Sequence, residues 1–211
     1  LLGMRGLRST PSLTGIWMQC RTADGQDIDW DKYSEGLAKY VELARQGSVK
    51  DIVFLMSGHP NDRDLDKWFE QQHPDEGERR AARRETLARW YEGWARAAAA
   101  NGVHAWEPTN EPNLGMPPER YIEDLLKPIY PAIKAGDPKA NFLGGSICGL
   151  ENHAWVRRLY ELGGHAFFDG VSLHPYTGLG FDEAYRAELD LYGQVLRDFD
   201  DREADLWMTE S

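Results

Sequence analysis

The chain has 211 residues, with 24 Lys and Arg against 35 Asp and Glu, for a net charge of -11. That length suits one domain with a sizeable core, and the negative balance repels phosphate backbones and anionic bilayers, so nucleic acid is not an expected partner. The two cysteines, Cys20 and Cys148, have no CxxC neighbour and lie too far apart for a disulfide framework or metal knuckle. No apolar run approaches the roughly 18 to 20 residues of a spanning helix, so membrane insertion is not expected.

Met4 to Arg8 reads as a short strand, and Ser9 to Asp29 as a polar loop. Asp29 is a plausible cap for a helix in which Tyr33, Leu37, Tyr40, Val41 and Ala44 recur at helical spacing until Gly47. Ile52 to Met56 is a continuous apolar run suited to a strand buried on both faces. Ser57 to Asp75 reads as a long loop. The strongest helix signal follows, with Leu87, Trp90, Tyr91, Trp94, Ala95 and Ala98 in one stripe, stopped by Gly102. Val103 to Trp106 is the next strand.

Pro117-Pro118-Glu119 opens another helix, in which Pro128 and Pro131 predict a kink or break. Asn141 to Gly145 reads as a strand, Trp155, Leu159 and Leu162 mark a helix ending at Gly163-Gly164, and Phe168 to His174 is a further strand. A last helix carries Tyr185, Leu189, Tyr192, Leu196 and Phe199 in register and leads to a strand over Asp205 to Thr209. Strand followed by helix, repeated at βα spacing, argues for a parallel sheet with right-handed crossovers. No GxGxxG or GxxxxGK[ST] follows any strand, which removes support for a nucleotide-binding sheet. Polar residues end strand after strand, as Arg8, Asn110 with Glu111, His174 with Tyr176, and Glu210. Chemistry gathered at strand carboxyl ends favours a closed α/β barrel over an open sheet.

Trp106-Glu107-Pro108-Thr109-Asn110-Glu111-Pro112-Asn113, Asp169 to Tyr176, and Leu206-Trp207-Met208-Thr209-Glu210 resemble the fourth, sixth and seventh strands of clan A retaining glycoside hydrolases. The likeness is greatest to the β-xylosidase and α-L-iduronidase family, with the cellulase and mannanase family second. Gly3 to Arg8 is similar to the clan's second strand, so the resemblance runs the length of the chain in the right order. It implies a (β/α)8 TIM barrel, incomplete here, with strands 2–7 present and strands 1 and 8 missing, over one catalytic domain at 1–211. Such a piece is expected to be poorly active alone. Thr109 stands where the family often has tryptophan, and Thr10 where a histidine is common.

The resemblance implies hydrolysis of O-glycosidic bonds in an oligo- or polysaccharide by double displacement, with Glu210 as nucleophile and Glu111 as acid/base. Retention needs the two carboxyls about 5 to 5.5 Å apart. Asn110 would bond the sugar 2-hydroxyl, and His174, Tyr176, Arg8 and His59 would line the substrate site, with Arg5 able to replace Arg8 if the register shifts. Trp17 and Trp68 could stack on sugar or anchor loops. Glu107 is a decoy, read as a buried structural partner, and Trp90 and Trp94 as core. No cofactor or metal is expected. A location outside the cytoplasm, extracellular or periplasmic, is what the family implies. The alternatives are a non-catalytic carbohydrate-binding barrel and a metal-dependent barrel hydrolase in which His59, His104 and His174 converge.

Overall fold

A computed structural model describes residues 6–9, 20, 22, 27–55, 69–176 and 183–209. The protein is mixed α/β. The chain divides into two compact units, Leu1–Trp106 with Pro128–Ala140, and Glu107–Lys127 with Asn141–Ser211.

In the first unit, β1 (Gly6–Ser9) and β2 (Asp51–Leu55) pair in parallel, with Gly6 opposite Asp51 and Ser9 opposite Phe54. Helix α1 (Trp30–Gln46) starts where the Asp29 carboxylate accepts the Lys32 N–H at 3.1 Å, the capping role its sequence predicts. Helix α2 (Glu76–Ala100) starts the same way, with the Glu78 N–H donating to Asp75. The inward stripe of α2 is the predicted one: Leu87, Trp90, Tyr91, Trp94, Ala95 and Ala98 are all buried. Rings meet edge-on here, Trp30 of α1 against Trp94 with centroids 6.5 Å apart and Trp90 against Trp94 at 6.0 Å. This is the geometry that sets a positive ring edge against a negative face. Strand β3 (Ala105–Glu107) carries Trp106 against Phe54 at 5.4 Å.

The segment from Ser57 to Asp75 is not loop throughout. Residues 69–72 are helical, because Phe69 is buried and the His73 N–H closes the turn on the Phe69 carbonyl at 2.8 Å. The predicted break at Pro128 and Pro131 takes another form too. Helix α3 (Pro118–Tyr121) gives way to five residues of π hydrogen bonding, Ile122–Leu126, and then to α4 (Lys127–Gly136), which holds Pro131 inside it. A widened turn is one way a helix accommodates the backbone bonds that a proline cannot make.

In the second unit, β4 (Asn141–Cys148), β5 (Gly170–His174) and β6 (Asp205–Met208) form a parallel ladder, with Cys148 opposite His174 and Leu173 opposite Met208. The β4 register shifts between Gly145 and Ile147, where Gly145 and Ser146 take positive φ. The bulge is held by side chains: the Gly145 N–H donates to the Tyr121 hydroxyl at 3.1 Å, and the Ser146 N–H to Ser172 Oγ at 2.8 Å. Helix α5 (His153–Glu161) ends at left-handed Gly163, near the predicted stop. Its Arg157 pairs with Asp198 of α6 (Glu183–Asp198), and its Arg158 with Glu119 of α3. Among the described residues no helix is long and apolar enough to cross a membrane.

Two tests follow from this packing. A Cβ at Gly136 would lie 2.2 Å from the Glu92 carbonyl oxygen, a backbone atom that cannot swing aside. Gly136→Ala should therefore lower unfolding free energy by about 3 kcal/mol, outweighing the roughly 1 kcal/mol of added helix propensity. Gly115→Ala, with nothing within 4 Å of the new methyl, should change stability by less than about 0.5 kcal/mol in the same urea titration. The second test concerns acid. The Arg157 guanidinium, then Gln194, hold the Asp198 carboxyl below its usual range. A folded pKa below the unfolded one adds stability that is present above the ordinary carboxylate range and lost as pH falls through the folded value. Between pH 7 and pH 3 the urea midpoint of Asp198→Asn should fall less than that of the parent chain.

Candidate functional site

Strand β3 ends at Glu107, whose side chain is fully buried. The chain then passes an exposed Asn110 and reaches Glu111, which has left-handed backbone angles, φ 46 and ψ 54. Proline at the next position disfavours right-handed α for Glu111. A non-glycine residue in the left-handed region costs about 1–2 kcal/mol, so neighbouring contacts must hold it there. Two of them do. A 3-10 turn over Pro112–Leu114 follows directly, with the Leu114 N–H bonded to the Glu111 carbonyl at 3.2 Å. Asn113 grips the end of β4 at two points, its Nδ2 donating to the Cys148 carbonyl and its Oδ1 accepting the Cys148 N–H, both at 3.0 Å.

This loop delivers Glu111 to His174, the last residue of β5. His174 Nδ1 lies 3.1 Å from Glu111 Oε1. The other ring nitrogen, Nε2, lies 3.9 Å from Glu107 Oε1. Glu107 also accepts the Thr209 hydroxyl at 2.5 Å. One fully buried imidazole thus stands between two carboxylates, one of them sealed and the other, Glu111, 18% exposed. A carboxyl with an imidazole on one side and solvent on the other can take and give a proton.

Tyr176 sits beside His174, with ring centroids 6.2 Å apart, and the residue is 44% exposed. Asn110 is exposed as well. His174 itself is fully buried. Tyr121, whose hydroxyl holds the β4 bulge, has its phenol pushed well up, first by burial and further by the charge of Glu107, with the Gly145 N–H acting in the opposite direction. It stays a neutral phenol at ordinary pH.

Of the remaining predicted site residues, Arg8 is half-buried on β1 of the first unit, opposite Val53. Glu210 and His59 lie outside the described residues, as do Arg5, Trp17 and Trp68. His104 bonds Asp137 within the first unit, Nδ1 to Oδ2 at 2.7 Å. Among the described residues no group of three or more His, Cys, Asp and Glu is arranged to hold a metal ion. Sequence reasoning missed Thr209, Asn113 and Tyr121. For Thr209 a signal existed: it stands at the end of a predicted strand, next to the carboxylate already singled out.

A hydroxyl donated to a buried carboxylate is worth about 1.5–3 kcal/mol. Thr209→Val should therefore lower unfolding free energy by about 2 kcal/mol, and Thr209→Ser, which keeps the donor, by less than about 1 kcal/mol. Chemical denaturation of the two variants side by side reads the difference.

Compared with known proteins, the chain matches no family model and no curated protein sequence.

Proposed function

We propose that this chain is a retaining glycoside hydrolase built on an incomplete (β/α)8 barrel, with Glu111 as general acid/base and Glu210 as nucleophile. The single observation that carries the reading is the 3.1 Å contact between Glu111 and His174, residues 63 apart in sequence. It brings two of the three strand-end motifs into one place, with the carboxyl facing solvent and its backbone held out of the ordinary regions. Left-handed strain at a polar residue supports a functional role because nothing about stability selects it.

In the first half-reaction Glu210 attacks the anomeric carbon while Glu111 gives its proton to the departing oxygen. In the second, Glu111 takes a proton from water, whose oxygen displaces Glu210 and releases the sugar with its configuration kept. Asn110 bonds the sugar 2-hydroxyl, and Tyr176 offers both a ring face and a hydroxyl at the same opening.

The test uses a panel of aryl glycosides and a 2-fluoro glycoside with a good leaving group, which the nucleophile displaces to leave a slowly hydrolysed glycosyl ester on itself. A chain that hydrolyses one of them should gain the mass of one glycosyl group, located by peptide mapping at Glu210. Glu111→Gln should then turn over substrates with poor leaving groups about 10²- to 10⁴-fold more slowly, the share that a positioned acid supplies. Sugar binding by calorimetry with no turnover would replace this reading with a non-catalytic carbohydrate-binding barrel.

A further inference from the structure

Asn113 follows Glu111 by two residues, and its side chain binds backbone. Nδ2 donates to the Cys148 carbonyl and Oδ1 accepts the Cys148 N–H, both at 3.0 Å. A carboxamide offers a donor and an acceptor side by side in one plane, as a peptide unit does. Asn113 therefore docks on the end of β4 as a neighbouring strand would, and two bonds to one residue fix its rotation as well as its distance.

These bonds belong to a closed circuit. The Leu114 N–H returns to the Glu111 carbonyl at 3.2 Å, so Glu111 and Asn113 share one turn and move together. Asn113 holds Cys148, which stands opposite His174 in the β4–β5 register. The next N–H, that of Gly149, donates to the His174 carbonyl at 3.0 Å. His174 Nδ1 meets Glu111 Oε1 at 3.1 Å, where the path began. Glu111 is thus referenced to the sheet twice, by its own side chain at β5 and by Asn113 at β4. A left-handed backbone at a non-glycine residue persists only where its surroundings over-determine it. With Pro112 next in the chain, a released Glu111 would fall back to extended angles.

Asn152 provides a contrast at the same junction. Its Nδ2 donates to the same Cys148 carbonyl at 2.7 Å, but it lies in the turn Leu150–Asn152 that follows β4, not in the loop that bears Glu111. We propose that Asn113 is a positioning residue: by docking on Cys148 it holds Glu111 in the left-handed conformation that aims its carboxyl at the departing oxygen, a part that Asn152 does not share. The conformational half of this depends on geometry alone. Its catalytic half rests on the reading of Glu111 as the acid/base.

The experiment compares Asn113→Ala, Asn113→Asp and Asn152→Ala in the full chain. NMR of the isotope-labelled chain reads the Glu111 backbone through the strong amide–Hα NOE that a positive φ produces. The parent chain and Asn152→Ala should show it, and Asn113→Ala should lose it. Asn113→Asp keeps the shape but sets a carboxylate oxygen against the Cys148 carbonyl. It should lose the NOE too, and it carries the test if the Ala variant does not fold. The second readout is kcat/KM, which reports the first half-reaction, for aryl glycosides with good and poor leaving groups. A misplaced acid matters only where the departing oxygen needs a proton, so Asn113→Ala should slow the poor leaving groups about 10- to 10²-fold and the good ones less than about threefold. Asn152→Ala should change neither series.

A left-handed Glu111 that survives in the Asn113 variants overturns the inference, whether or not any glycoside is hydrolysed. So does an equal loss on good and poor leaving groups, an effect of Asn152→Ala as large as that of Asn113→Ala, or failure of both Asn113 variants to fold. A chain that turns over no glycoside, yet releases Glu111 when Asn113 is replaced, defeats the enzymatic reading and leaves the conformational half standing.

Discussion

The second unit depends on one constraint: the imidazole of His174 is sealed from water between two carboxylates, Glu107 and Glu111. Each charge in such a group can stay buried only if its neighbours are in place. That requirement reaches outward to Thr209 at the end of β6, 102 residues from the Glu107 it bonds. The cluster ties together strands that hydrophobic burial alone would leave free to slide, since apolar contacts are non-directional.

Strain is placed where this cluster needs it. Glu111 occupies the left-handed region, and Ser146 and Gly145 do so in the β4 bulge. In each case named hydrogen bonds hold the conformation: the Asn113 clamp on Cys148 for the loop, and Tyr121 and Ser172 for the bulge. Bulges re-aim strands next to sites. Here Ser172 lies on the same strand as His174, and Tyr121 ends the short helix that follows the Glu111 loop. A loop of this kind costs stability, and the dense aromatic packing of the first unit shows that the chain has ordinary sources of stability as well.

That first unit is built by rules a sequence states openly. Asp29 and Asp75 are caps with the right chemistry at the right place, and the apolar stripe of α2 is continuous over several turns. Glycine enters where backbones or rings come close: a Cβ on Gly93 would fall 2.2 Å from the Trp30 ring. Helix propensity argues against glycine mid-helix, so its presence at position 93 makes sense only once Trp30 is seen lying across it.

The sequence alone determined the alternation of strands and helices, the caps, the buried stripe and the carboxylates at strand ends, because each is encoded by residues close together in the chain. Local periodicity and capping need no distant partner. It also marked Glu107 as a buried structural partner, from its place shortly before Glu111. Only the tertiary structure decided that Glu107, Glu111 and His174 form one group, that Thr209 donates to it, that Glu111 is left-handed, and that residues 69–72 coil into a helical turn around Phe69. Each of these depends on which segments pack together and on the need to satisfy polar atoms once water has been excluded, and neither is written in any short stretch of residues.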